Sequence, residues 1–197
     1  MARPRTHDEN LRQKLLEAAS SAIVSQGEQS LSLRALAAEA GTTTSAVYSL
    51  FGDKEALISA VAEEGFRRFA QVLEEAPGTE DPWADLLALG VAYREYALAE
   101  PHFYRVMFSR PHPSAEAPEN TTFGVLRNAI QRAAGLDLEA AQPEALRLWA
   151  LTHGLVSLEL NGLIPGSAAE RKQGYIAALR ASAGAFSEHS RSGQVPD

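Results

Sequence analysis

The stretch LSLRALAAEAGTTTSAVYSLFGDKEAL, Leu31 to Leu57, decides the fold. Ser32 is a good N-cap, and Leu33, Leu36 and Ala37 follow at helical spacing as far as Gly41, which predicts a short helix with an inward apolar side. A second short helix follows Thr42 or Thr43 and ends at Phe51, with Gly52 as its C-terminal glycine. A longer helix opens at Asp53. Two short helices joined by the tight turn Gly41-Thr42-Thr43, with a third helix bracing them, match a helix-turn-helix.

The second short helix has unusual chemistry for a core element. Thr43, Thr44 and Ser45 crowd its first turn with small hydroxyls, and Tyr48 and Ser49 follow, while Ala46, Val47, Leu50 and Phe51 form an apolar anchor. Small hydroxyls let a backbone approach a duplex closely and bond its phosphates or base edges, and a helix N-terminus adds partial positive charge. Lys54, just past the end, can pair with a phosphate. Such a helix suits a major groove, which is wide enough to admit one. A plainer reading stands beside this one. Ser and Thr before a helix are commonly caps, and Tyr is commonly a half-buried surface residue.

The run Leu33-Arg34-Ala35-Leu36-Ala37-Ala38-Glu39-Ala40-Gly41, followed by Val47-Tyr48-Ser49-Leu50-Phe51-Gly52-Asp53-Lys54-Glu55-Ala56-Leu57, resembles the N-terminal domain of the tetracycline-repressor (TetR) family. The helix 10–26 with Gly27 also sits where that family has its first helix, so the likeness covers about residues 10–60. It implies that Ser32, Thr43, Tyr48 and Lys54 contact phosphates. It also implies that Thr44, Ser45 and Ser49 meet bases and neighbouring backbone, and Arg34 completes the candidate DNA-contacting set. The chain departs from the pattern at Ser45-Ala46, where the family often has Gly-Thr, at Gly52, commonly Pro, and at Ser49, frequently His. The departures leave the DNA-binding role intact and the base sequence unread. Arg3 and Arg5 are equally a minor-groove arm or a frayed tail.

Outward from this segment the chain reads as all-α. Strand-type alternation is absent and alanine and leucine dominate. A first helix is expected over 8–26, opened by a Thr6/Glu9 capping box. Breaks at Pro77-Gly78, Pro101 and Pro165-Gly166 separate further helices near 53–75, 82–99, 101–108, 121–135, 143–163 and 168–186. Pro111, Pro113 and Pro118 mark 109–119 as a loop, and the polar tail 187–197 is expected to be disordered. The domain division is a helix-turn-helix domain over 1–54, a helical ligand-binding and dimerisation domain over 55–190, and a disordered tail over 191–197.

Composition limits the chemistry. In 197 residues, 45% are apolar and 22% charged, the balance of a globular chain, and there is no cysteine. Disulfides, thiol nucleophiles and cysteine-based metal sites are excluded, and a reducing, bacterial cytoplasmic setting fits. No apolar run approaches membrane-span length and no secretory signal is read, so no membrane partner is expected. Residues 1–54 carry six Lys+Arg and six Asp+Glu, whereas 55–197 carry 12 and 19, so the net −7 lies wholly in the later part. An acidic body is repelled by nucleic acid and a neutral N-terminal section is not. Apart from His153, the four histidines His7, His102, His112 and His189 lack metal-ligand spacing with carboxylates, so no metal or cofactor is expected. No phosphate-binding glycine loop, nucleophile elbow or His-Glu-x-x-His is present, and no enzyme is read.

The later part reads as a helical bundle. The helix 143–163 has two apolar sides, with Leu146, Trp149, His153, Val156 and Leu160 on one and Leu148, Leu151, Leu155, Leu158 and Gly162 on the other. The last helix pairs Tyr175, Ile176, Leu179, Ala183 and Phe186 with a small-residue side of Gly174, Ala178, Ala181 and Ala185. A helix apolar on two sides is buried on both. Two such helices per protomer would build a four-helix interface, as the family's homodimers do; simple burial within one chain is the alternative. The candidate dimer residues are Leu148, Leu151, Leu155, Leu158, Gly162, Ala178, Ala181 and Ala185.

Tyr93, Tyr96, Phe103, Tyr104, Met107 and Phe108 form the densest aromatic patch, and Trp149 and His153 face inward on the later helix. The segment 101–108 and the Trp149-x-x-x-His153-Gly154 spacing resemble a TetR subgroup named for Trp, His and Gly. These eight residues are the candidate lining for a mostly apolar small-molecule effector; aromatics at helical spacing are equally ordinary core. The leading reading is therefore a homodimeric, effector-responsive repressor of a pseudo-palindromic operator. Its rivals are a DNA-binding module without an effector and a small-molecule-binding or catalytic bundle whose helix-turn-helix is incidental.

Overall fold

The computed structural model describes residues 5–76, 78–109 and 122–192, with side chains for all but 5–7 and 183–192. Its helices are α1 (Arg5–Gln26), α2 (Leu33–Glu39), α3 (Thr44–Phe51), α4 (Lys54–Glu74), α5 (Pro82–Ala99), α6 (Pro101–Met107), α7 (Thr122–Ala134), α8 (Leu138–Leu160) and α9 (Ala168–Ser192), with one 3-10 turn at Glu28–Ser30. No strand occurs among the described residues, and no helix among them is long and apolar enough to cross a membrane.

The helices pack as two units, 1–68 with 100–113 and 69–99 with 114–197. The boundary expected at 54/55 thus falls inside the first unit. The reason is burial: α4 places Leu57, Ile58 and Val61 in the core that α1 fills with Leu15, Leu16 and Ala19, and α6 adds Phe103 and Val106. A domain ending at residue 54 would leave these side chains in water, at roughly 1.5–3 kcal/mol for each large one. Gly65 of α4 explains how α6 comes so close, since a Cβ there would stand 2.6 Å from Met107 Cγ. Arg68 stacks on the Phe103 ring at 4.4 Å from its centroid.

Local signals set most helix starts. Ser32 Oγ accepts from the Ala35 amide at 3.3 Å, Asp53 Oδ1 from the Ala56 amide at 2.8 Å, and Ser167 and Glu170 bond reciprocally as a capping box. Boundaries of α1, α8 and α9 differ from the sequence expectation, and α8 also ends at Leu160 rather than at 163. α1 begins at Arg5, so Thr6 and Glu9 lie within it rather than capping it. α8 begins five residues before Pro143, because Asp137 caps the Ala140 amide at 2.9 Å. Pro143 is exposed there, so the carbonyl it leaves without an amide can be hydrated. α9 continues past Phe186 to Ser192, into the expected tail. Arg3, the proline-rich loop from residue 110 to 119 and residues 193–197 lie outside the described residues.

In the second unit, Leu86 of α5, Ile130 of α7 and Ala141, Ala145 and Leu148 of α8 form one core cluster. Phe69 meets Tyr93 edge-on and stacks on Tyr96, both at 5.0 Å between centroids. Arg94 and Glu159 make a buried bidentate pair at 2.6 and 2.7 Å, which ties α5 to α8.

Candidate functional site

The α2–α3 turn holds α3 by its apolar side. Gly41 adopts φ +68° and Gly52 φ +87°, conformations that side chains with a Cβ rarely take. Thr43 Oγ1 accepts from the Ala46 amide at 3.2 Å. Val47 is buried, with Ala46, Leu50 and Phe51 packed against the same core. That fixes what remains outside: Ser45, Tyr48 and Ser49 are exposed on one side, Thr43 stands exposed at the N-terminus, and Thr44 is half-buried between them. Tyr48 is 52% exposed. Ser32 and Arg34 of α2 are exposed too. Lys54 is half-buried, and its ammonium donates to the Gln29 carbonyl at 2.8 Å. Seven of the eight candidate DNA-contacting residues thus lie on or beside α2 and α3, and the eighth is tethered at the start of α4. Sequence pattern missed Arg12 of α1, whose guanidinium lies 5.6 Å from the Phe51 ring centroid and sets a cation beside the end of α3.

The eight candidate effector residues divide between the units. Phe103, Tyr104, Met107 and Phe108 belong to the first unit, where Phe108 meets Phe66 and Tyr104 edge-on. Tyr93, Tyr96, Trp149 and His153 belong to the second. There the Tyr93 hydroxyl and His153 Nδ1 share a hydrogen bond of 3.1 Å, and Trp149 lies against Phe123. Burial holds the His153 pKa below its ordinary value, favouring the neutral ring.

The second unit contains a cavity of about 360 Å³, at the small end of the range for ligand pockets. Trp83, Leu86, Leu87 and Gly90 of α5, Leu126 of α7, Leu148 and Thr152 of α8 and Leu179 of α9 line it, with Asp81, Ala84 and Arg180. None of the eight candidate effector residues does. A sequence signal existed in Gly90, a glycine inside a helix: a Cβ there would stand 2.6 Å from Leu179 Cδ1.

Two family models match the chain. One, described as bacterial regulatory proteins, tetR family, matches residues 15–61, and one described as tetracyclin repressor-like, C-terminal domain, matches residues 86–181. The uncharacterized HTH-type transcriptional regulator Rv0681 of Mycobacterium tuberculosis is 30% identical over 157 residues, which span 78% of this chain and 72% of that one. The chain belongs to the tetR family of bacterial regulatory proteins. A second relative, the HTH-type transcriptional regulator Rv1816 of the same species, is 26% identical over 125 residues, 62% of this chain and 53% of that one. The chain spans about half the length of that relative. A TetR-like transcriptional regulator from Rhodococcus sp. RHA1 shares the fold, with a TM-score of 0.72 over 98% of this chain and 100% of that one at 17% identity.

For this TetR-family chain the N-terminal match covers the whole helix-turn-helix, and the C-terminal match takes in α5 from residue 86 onward, α7 and α8, together with Trp149, His153 and Gly154. Its candidate dimer residues fall into three groups. Leu158, Gly162 and Ala181 are exposed, and Leu151, Leu155 and Ala178 are half-buried. Leu148 is 6% exposed, because it packs on Leu86 and Ile130 and lines the cavity; it is a core residue of the protomer rather than a free contact. The side chain of Ala185 lies outside the described residues.

Proposed function

We propose that this TetR-family chain is an effector-responsive, non-enzymatic transcriptional regulator that represses by binding a pseudo-palindromic operator as a homodimer. The supporting observation is the split of α3, with Val47 buried while Ser45, Tyr48 and Ser49 are exposed on the opposite side. Two such helices, one per protomer, would enter successive major grooves one helical turn apart. Leu151, Leu155 and Leu158 of α8 with Ala178 and Ala181 of α9 offer the apolar contact for pairing. The effector would occupy the 360 Å³ cavity of the second unit. An effector that favours a different spacing of the two reading heads weakens operator binding, because both heads can no longer dock together.

The test is fluorescence anisotropy with duplexes from the region flanking the protein's own gene. Tyr48→Ala should leave the melting curve in place, since the residue is half exposed and outside the core. The same change removes a contact from each of two heads and should lower affinity about tenfold or more. A duplex retained equally by wild type and Tyr48→Ala refutes the role of this face.

A further inference from the structure

The cavity carries information about what fills it. Its charged and hydroxyl side chains are Asp81, Arg180 and Thr152. Asp81 and Arg180 are exposed and opposite in charge. Asp81 is also committed, since its Oδ1 accepts from the Trp83 and Ala84 amides, both at 3.1 Å, and so caps α5. Thr152 differs from both. It is 7% exposed, faces the cavity from the middle of α8, and its hydroxyl makes no hydrogen bond among the described residues. The rest of the wall is chiefly leucine and tryptophan.

The Thr152 hydroxyl has no partner among the described residues, so a ligand group that bonds it gains a hydrogen bond the protein does not make by itself. A fixed charge placed beside Thr152 would shed hydration and meet a neutral hydroxyl there rather than a buried counter-charge. The opposite charges on Asp81 and Arg180 favour neither sign, and exposed charges contribute little. We propose that the cavity selects a small, uncharged, largely apolar molecule with one hydrogen-bonding group, and that Thr152 is the residue that reads this group. The proposal rests on the effector-responsive reading above and supplies its ligand class.

The test uses the full chain without DNA and three probes of one shape, 2-naphthol, naphthalene and 2-naphthoate, in equilibrium dialysis. 2-Naphthol should saturate one site per protomer and bind about three- to tenfold more tightly than naphthalene, the range for one neutral hydrogen bond. 2-Naphthoate should bind least. Thr152→Val should abolish the preference for 2-naphthol while leaving naphthalene binding unchanged, and Thr152→Ser should retain the preference. Gly90→Ala, which must push the Leu179 methyl aside, should weaken both neutral probes. The idea is overturned by equal binding of naphthol and naphthalene, by a preference that survives Thr152→Val, by 2-naphthoate binding tightest, or by no saturable binding. Retention of duplex DNA, scored separately on the same preparation, separates the two readings. Its loss removes the regulator and leaves the cavity's selectivity standing, whereas lost selectivity with intact DNA binding removes only this proposal.

Discussion

Lys54 is the residue whose role the structure makes measurable. It opens α4, where the helix dipole disfavours a cation by roughly 0.3–1 kcal/mol, so local helix energetics do not explain it. Its ammonium spends one donor on the Gln29 carbonyl and has two more to offer a phosphate. The scaffold and DNA roles differ in their response to salt. Each phosphate neutralised contributes about 0.9 to the slope of log affinity against log salt, so Lys54→Met in a dimeric complex should reduce the slope by about 1.8. Between 50 and 200 mM salt that difference makes the wild type's loss of affinity about 12-fold steeper than the variant's. Losing the exposed Gln29 contact should cost about 1 kcal/mol of fold stability. The assay is anisotropy against one operator duplex at four salt concentrations, with Lys54→Arg as the charge-conserving control. An unchanged slope in Lys54→Met would show that Lys54 only anchors the 28–30 turn, and the phosphate role would be wrong.

Three further outcomes are expected. Glu159→Gln leaves the Arg94 guanidinium buried beside a neutral amide; both side chains of the native pair are 6% exposed, so urea unfolding at fixed protomer concentration should register a loss of about 3–5 kcal/mol. A loss under about 1 kcal/mol would mean the pair is not buried as described, and Arg94→Met with Glu159→Met should recover most of the stability. Hydrogen bonds from Arg67 and then Arg68, working against burial, lower the Glu64 carboxyl from its ordinary 4.5 to about 2. Its contribution is therefore full above pH 4.5 and is lost as pH falls from there toward 2, so unfolding midpoints should drop more steeply across that window in wild type than in Glu64→Gln. Parallel curves would contradict this. Leu158 is 44% exposed, so Leu158→Glu should leave the helical circular dichroism intact and shift sedimentation toward monomer if α8 forms the protomer contact; an unchanged dimer would place the contact elsewhere.

The helix-turn-helix was legible because its signals are local. A cap such as Ser32 or Thr43 acts on an amide three residues away, and Gly41 and Gly52 set their own φ angles. Nothing distant is needed to read these, so α2, α3 and the exposed side of α3 emerge from the pattern alone. The boundary at residue 54 was not legible for the opposite reason. Phe103 and Val106 join the α1–α4 core across more than forty residues of chain, and no short-range pattern in 101–108 records that partnership. Aromatic density there reported burial correctly. It could not report which neighbours do the burying, and so Tyr104 and Met107 were grouped with Trp149 and His153 although the two sets belong to different units.

Helix α8 shows the same limit within one element. Weighting by side-chain size picks out two leucine-rich sides, yet the buried arc of the protomer runs between them, through Ala141, Ala145, Leu148, Thr152 and Val156. Four helices crowd this region, and small side chains permit their approach, so alanine and threonine occupy the most enclosed positions while Leu146 and Leu158 are left exposed. A period-3.6 reading that credits size misplaces such an arc by about half a side, which is why Leu148 read as an interface residue. It is also why Thr152, the buried hydroxyl of the cavity, was passed over: within a leucine-rich helix a lone threonine carries no periodic signal, and only its enclosure distinguishes it from a solvent-facing one.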